Sequence, residues 1–344
     1  MVKRLTRRTF AVTAAAALAA PALGRIARAA DPIRLRLSLD TAPSHLRNVS
    51  FKDYLGKVEA ASGGKIKAEI FESGQLYPDL EVGKALIQGQ VEMASPGSWT
   101  ITGIVSDADF FQLPALYGRS MDDIHRIIDG KPGQLLNSQI EKKLRSHVLG
   151  PYLDLGFQNW YSATKPIATL ADLKGMKIRN SGGAGQAWRA RFLGAIPNTT
   201  AWPNVPLSLS QGTFDGLVSS NESLVSAKLW DSGVKYALED HQFIAEYIPL
   251  VSQAFWEKLG PDLQKLMTDT WAQSVPTYRD NMAAAQLRAR KTLEEHGIKF
   301  ADPTAEQTAA ERKRMVAEQE QVAKEIKISP EMVQAVMATV STAS

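Results

Sequence analysis

Apolar and polar residues alternate at the start of the regular part of the chain. Ile33, Leu35, Leu37 and Leu39 fall on one side, and Arg34, Arg36 and Ser38 on the other. A period of two predicts a half-buried strand. The period then changes: Phe51, Tyr54, Leu55 and Val58 are spaced as one face of a helix, which Gly63-Gly64 ends because glycine tolerates the left-handed cap. Ile66, Ala68 and Ile70 alternate again as the next strand. A helix from Asp79 to Gly89 and a short strand from Val91 to Ala94 lead into Pro96-Gly97-Ser98-Trp99. Helix, glycine, strand, loop is the grammar of βαβ units, in which helices cover a sheet.

Further along, Asp107 to Leu116 reads as a Phe-rich loop, with helices over Met121–Ile128 and Gln134–Leu144 and a strand from Val148 to Leu155. That strand enters Gly156-Phe157-Gln158-Asn159-Trp160, the first crossing between two lobes. Gly175 to Ser220 supplies a second αβ lobe, Asn221 to Trp230 its next helix, and Phe243 to Val251 a returning strand. Pro261-Asp262 opens a long helical region that reaches about His296, with a kink expected at Pro276. Thr304 to Lys327, charged and alanine-rich, reads as a solvated outer helix. Leu86-Ile87-Gln88-Gly89-Gln90-Val91-Glu92 is echoed by Leu209-Ser210-Gln211-Gly212-Thr213-Phe214-Asp215, as two lobes built alike would give. The expected division is residues 31–156 with about 246–285 in one lobe, and 157–245 with about 286–344 in the other.

The first thirty residues stand apart from this pattern. Met1 to Phe10 carries Arg7-Arg8, an alanine-rich apolar run reaches Leu23, and Ala27-Arg28-Ala29 offers small residues for cleavage. This is a twin-arginine type of signal peptide, cleaved near residue 29 or 30, and it places the remaining chain in the periplasm. A membrane anchor is the competing account, but the apolar run is short and no later stretch reaches spanning length. Six of the 40 basic residues and none of the 36 acidic ones lie in residues 1–30, so a formal charge of +4 becomes −2 once they are removed. The basic balance therefore belongs to the export signal and argues for no nucleic-acid partner. With no cysteine, disulfides, thiolate metal sites and a cysteine nucleophile are excluded.

The candidate chemistry centres on Leu173-Lys174-Gly175-Met176-Lys177-Ile178-Arg179-Asn180-Ser181-Gly182-Gly183. It sets Arg179 at a strand's carboxyl end just before a helix start, the crevice where ligands sit in open α/β sheets. The guanidinium fork there suits a carboxylate, which it grips with two parallel hydrogen bonds. A surface arginine, solvated or salt-bridged, is the competing account. Gly183-Ala184-Gly185 resembles a dinucleotide fingerprint, but Trp188 stands where the third glycine is needed. The helix start could still hold a small anion through its free N–H groups. The five histidines show no metal spacing, and no hydrolase motif occurs, so neither catalytic residues, a cofactor nor a metal is expected. His45 follows the first strand in a Pro-containing loop and is a ligand-facing candidate. Trp99 and Trp202, beside prolines, are candidates for cleft walls, while Trp188 and Trp230 are expected in the core.

Six segments in order strengthen the picture: Ser-Gly-Gly-Lys-Ile-Lys (62–67), Ser-Gly-Gln-Leu (73–76), Leu-Pro-Ala-Leu-Tyr (113–117), Leu-Lys-Gly-Met-Lys-Ile-Arg (173–179), Gln-Gly-Thr-Phe-Asp-Gly (211–216) and Trp-Asp-Ser-Gly-Val-Lys-Tyr (230–236). Together they resemble the DctP-type solute-binding subunit of TRAP transporters over nearly the whole mature chain. The resemblance implies a two-lobed α/β periplasmic-binding-protein fold, each lobe a mixed sheet flanked by helices, joined by crossing strands and a long helix. It implies capture of a small organic anion and delivery to a membrane permease, by a protein expected to be a monomer. It puts Arg179 on the ligand carboxylate, Trp202 at the family's aromatic position and Ser219 at a polar one. Gln158 stands where many members carry a second arginine, and Leu217-Val218-Ser219-Ser220-Asn221 replaces their Gln-Glu-Asn-Pro. A monocarboxylate with an apolar or aromatic body fits these departures better than a dicarboxylate. Asn221 and Trp160 complete the expected ligand-binding set. An exported cofactor-dependent oxidoreductase and a ligand-sensing partner of a membrane receptor are the alternative functions.

Overall fold

The structure, a computed structural model, describes residues 31–341, so the segment read as an export signal lies outside the described residues. From Pro32 onward the chain holds two mixed sheets. The first contains β1 (Ile33–Ser38), β2 (Ile66–Phe71), β3 (Met93–Ala94), β4 (Ser146–Val148) and, much later in sequence, β10 (Leu250–Ser252), in the order β2-β1-β3-β10-β4. The second contains β5 (Leu153–Ser162), β6 (Lys177–Asn180), β7 (Ile196–Thr199), β8 (Gly216–Ser219), β9 (Tyr236–Tyr247) and β11 (Lys299–Ala301), in the order β11-β9-β5-β8-β6-β7. β1 runs parallel to β2 and β3, whereas β10 returns antiparallel between β3 and β4.

The period-two reading of the first strand holds. Leu35 and Leu37 are fully buried, while Arg34 reaches out to Glu69 and Arg36 to Glu92. The helix after it, Leu46–Ala61, turns Phe51, Tyr54, Leu55 and Val58 inward and is capped at Ser62. The Gln-Gly echo is also structural. Helices Val82–Ile87 and Val205–Ser210 end alike, with Gly89 and Gly212 both at positive φ. The N–H of Gln90 closes onto Ala85 O as that of Thr213 closes onto Ser208 O, so one helix-ending geometry serves both halves. The expected helix from Asp79 is shorter than its pattern suggests, because Pro78 and a buried Asp79 hold the chain in turns until Val82.

β5 and β9 are the crossing strands, paired antiparallel from Leu153↔Tyr247 to Ser162↔Tyr236. Their register shifts twice, between Asp154 and Gly156 and between Gln158 and Trp160. The first shift leaves Leu155 unpaired, and the second leaves Glu239 to Gln242 of β9 outside the ladder, with His241 at positive φ. The expected single strand over 243–251 is in fact the end of β9 and the first two residues of β10, and Pro249 lies between them.

A helix over Gln253–Glu295 spans both sheets. Tyr54 Oη donates to Met267 O on the first side, and Glu222 N–H donates to Gln286 Oε1 on the second. The backbone stays helical through Pro276, where a kink was expected, and breaks at Gly260 (φ 72°, ψ 165°), one residue before the Pro261 that restarts it. The C-terminal reading also divides. β11 joins the second sheet, but helix Pro330–Ser341 packs against helices Met121–Ile128 and Lys131–Leu144, with Ser329 bonded to Asp107. Among the described residues no helix is long and apolar enough to cross a membrane.

Candidate functional site

Arg179 lies near the end of β6, and the path of the chain explains its orientation. β6 is flanked by β7 and β8 in parallel, so its carboxyl end opens beside the turn at Thr199–Trp202 that leaves β7. Arg179 is fully buried, and its Nε and Nη2 both donate to Thr200 O, at 3.0 and 2.8 Å, while Nη1 donates to Ser181 Oγ at 2.8 Å. A guanidinium has five N–H donors. One on each Nη is left for a carboxylate to accept. The guanidinium carbon also lies 5.4 Å from the centre of the Trp202 ring.

These groups line a cavity of about 20 Å³ with Asp40, Asp79, Trp99, Leu155, Gln158, Ser181, Ser219, Ser223 and Tyr247. Space of that size admits about one water, so a larger guest requires the walls to part. Of the residues expected at the site, Arg179, Trp202, Ser219, Gln158 and Trp99 are brought together here. Gln158 is buried and its amide donates to Gly156 O at 3.3 Å, and Trp99 Nε1 has no hydrogen-bond partner among the described residues.

The other three candidates lie elsewhere. His45 is fully buried as the N-cap of helix Leu46–Ala61, and its Nδ1 accepts the N–H of Arg47. That bond assigns the proton to Nε2, which faces Glu222 Oε2 at 2.9 Å and Ser223 Oγ at 3.2 Å. His45 therefore touches the second lobe beside the cavity rather than lining it. Trp160 is fully buried and donates its indole N–H to Asp240 at 2.9 Å, so it is core. Asn221 accepts from Tyr161 Oη and donates to Glu239, facing a separate cavity of about 390 Å³ behind the crossing strands. Trp160 follows the β5 irregularity, whereas Asn221 opens the helix Asn221–Ser226 that succeeds β8.

Sequence reasoning missed the acids and one arginine. Asp40 follows β1 by two residues, the same strand-end position that singled out His45. Arg47 is fully buried, donates to Asp40 at 2.6 Å and Ser95 O at 3.0 Å, and lies 3.9 Å over the Tyr247 ring. Asp79 accepts the main-chain N–H of Trp202 at 3.1 Å, tying the two lobes together. Burial, with Asp40 nearby, pushes the Asp79 carboxyl up to about 7 against the pull of Arg179 and two main-chain N–H groups. Burial lowers the Arg179 guanidinium to about 10, opposed by Asp79 and Asp40, which leaves it charged at neutral pH.

The helix start at Gly183-Ala184-Gly185 already has an anion. Asp109 accepts the Gly185 N–H at 2.7 Å, so an external anion is not held there. A Cβ at Gly183 would lie 2.6 Å from Asp109 Oδ1, and one at Gly185 would lie 2.3 Å from Gln112 Cβ. The glycines admit the Ser106–Gln112 turn, and no nucleotide is needed to account for them.

With this geometry in view, comparison with known proteins is direct. Residues 39–326 match the sequence model of the DctP family, described as bacterial extracellular solute-binding protein, family 7. The C4-dicarboxylate-binding periplasmic protein DctP of Rhodobacter capsulatus is 26% identical over 314 residues, covering 89% of this chain and 91% of that protein. The sugar acid binding protein DctPAm of Advenella mimigardefordensis, solved with galactonate, superposes with a TM-score of 0.85 at 23% identity, covering 91% of this chain and 99% of that one. A TRAP periplasmic solute binding protein of Desulfovibrio salexigens, solved with orotic acid, gives 0.83 at 19% identity, covering 90% and 99%. The two mixed sheets and their flanking helices are thus the two-lobed fold of TRAP solute-binding proteins. The chain belongs to the DctP family of bacterial extracellular solute-binding proteins.

Proposed function

We propose that this protein captures a small monocarboxylate between its lobes in the periplasm, after cleavage of a twin-arginine signal near residue 29 or 30, and delivers it to a TRAP-type membrane permease. The observation that carries this is the Arg179 fork, buried in the lining with two N–H donors to spare. Trp202 and Trp99 form the walls for the acid's body, and Gln158 and Ser219 offer neutral hydrogen bonds. The unpartnered indole N–H of Trp99 gains an acceptor from a ligand oxygen.

Asp40 and Asp79 in the same lining argue against a second negative group on the ligand and favour a hydroxyl or other donor. Galactonate and orotic acid, held by two structural neighbours, each carry one carboxyl group. The C4-dicarboxylate relative is the counterexample that makes the distinction worth measuring. We take the protein to be a binder with no catalytic step, in keeping with a family defined by solute binding. We divide the lobes in the crossing strands, at about 156/157 and 245/246, and again in the long helix at about 285/286.

A thermal-shift screen of mono- and dicarboxylic acids tests the reading. A true ligand at 100 times its dissociation constant should add about 2.7 kcal/mol of stability. Stabilisation by neutral sugars and by no acid would overturn it.

A further inference from the structure

We propose that His125, Asp154 and Glu246 form a site for a divalent transition ion of the zinc or manganese type, at the foot of the crossing strands. One ligand atom from each lies within 4.8 Å of the others. Asp154 and Glu246 are directly opposed in the β5–β9 ladder, and His125 comes from helix Met121–Ile128. His125 Nε2 lies 2.9 and 3.1 Å from the two Asp154 oxygens, so the two side chains already face each other across a hydrogen bond that an ion would replace.

A second observation, independent of the clustering, points to a ligand. Glu246 is fully buried, and neither of its carboxylate oxygens has a hydrogen-bond partner among the described residues. The residue across the ladder is another acid. Buried carboxylates are ordinarily paired or bound to metal, because leaving one unpaired in an apolar interior is costly. The cations in reach do not resolve this. Arg279 donates from Nε to Tyr152 O at 2.8 Å, and through both Nη atoms to Asp129 at 2.7 and 3.0 Å, standing 3.7 Å from Asp154. Its charge is thus divided between Asp129 and this pair of acids.

The donor set decides the class of ion. One imidazole nitrogen and two carboxylates, without sulfur, suit zinc or manganese better than calcium or magnesium, which prefer all-oxygen shells. An entry path is present. Asp154 also lines the 390 Å³ cavity behind the strands, together with Met121, Phe157, Met282 and Leu287, and Leu287 is well exposed. Water from that side would complete the shell.

Tag-free purified protein, treated with chelator and desalted, should be titrated with zinc, manganese, calcium and magnesium chloride by calorimetry. The expected result is one zinc or manganese ion per chain, bound equally by wild type and Arg179→Ala. Loss of even an outer partner weakens metal sites about 10–100-fold, so Glu246→Gln and His125→Ala should each weaken binding by more than tenfold. His125 is partly exposed, so its variant keeps the test informative if Glu246→Gln fails to fold. Wild-type affinity in both variants, no binding up to millimolar ion, or tighter binding of calcium than of zinc and manganese would each overturn the proposal. So would a chelated Glu246→Gln protein that melts above wild type while metal leaves wild type unchanged, the mark of a proton shared between the two acids.

Discussion

Glu222 Oε2 stands 2.9 Å from His45 Nε2, joining residues that lie 177 positions apart and on opposite sides of the cleft. Its other oxygen accepts the main-chain N–H of Leu46 at 2.9 Å, so one carboxylate caps the Leu46–Ala61 helix from the far lobe. Both contacts bridge the two sides of the cleft. Of the two, only the Leu46 N–H contact has hydrogen-bond geometry, and a charge-assisted bond of this kind contributes about 1.5–3 kcal/mol. Glu222→Ala should therefore favour the open form, weaken ligand by at least tenfold and enlarge the radius of gyration of the ligand-saturated protein. Small-angle scattering beside calorimetry separates closure from contact. Unchanged affinity would mean that other contacts hold the cleft shut.

In the proposed complex, Arg179 is the ligand's charge partner. Breaking a buried ion pair from one side costs about 3–5 kcal/mol, so Arg179→Ala should abolish measurable binding by calorimetry. Arg179→Lys should do nearly as badly, because an ammonium cannot span Thr200 O and present a fork together. A near-native dissociation constant for either variant would place the carboxylate elsewhere.

Asp79 makes binding dependent on pH, and the sign follows from the direction of its shift. Its carboxyl is raised from the ordinary 3.8 to about 7 by burial first and by Asp40 second. The folded protein therefore holds a proton that the unfolded chain has released. The stability this contributes is full below about pH 4 and is lost as pH rises through about 7. Above that, the ionised acid competes with the ligand for Arg179. Ligand affinity should fall between pH 6 and pH 8, and Asp79→Asn should flatten the profile. An identical slope in the variant would assign the dependence to another group.

Trp202 is half-buried against Arg179 and reports on the cleft. Water leaves its ring as a ligand enters, so intrinsic fluorescence should change saturably. Trp202→Phe keeps an aromatic face and should bind within about tenfold, or 1.4 kcal/mol, whereas Trp202→Ala should lose more. Wild-type binding by the alanine variant would move the aromatic wall to Trp99.

What the sequence disclosed depended on how local each cause was. The Leu46–Ala61 helix, the first strands and the Gln-Gly helix ends rest on spacings within a few residues, and they fold as read. Arg179, with Trp202 and Ser219, was legible because strand-end position and family resemblance agree on it. Asp40, Arg47 and Asp79 were not. Each is a lone polar residue whose role depends on a partner arriving from another part of the fold, as Trp202 does for Asp79. What fills the space beside the glycines at 183 and 185 was hidden for the same reason, since Asp109 and Gln112 lie more than seventy positions away. His45 was singled out by position, and its ring meets Glu222 and Ser223 beside the cavity rather than lining it.

The irregular pairing of β5 has a consequence for how this strand can change. Leu155 and Gln158 line the cleft, whereas Asp154, Gly156, Phe157 and Asn159 line the cavity behind it. Residues three apart cannot share a face of a regular strand, where sides alternate by twos. The extra residue at the register shift resets the phase of the pleat, so the floor of the cleft is encoded by a count of residues as much as by their identities. Deleting Gly156 would remove no side chain but would turn Gln158 to the rear. Relatives that differ in length here would thus present a different floor to the ligand, even with the glutamine retained.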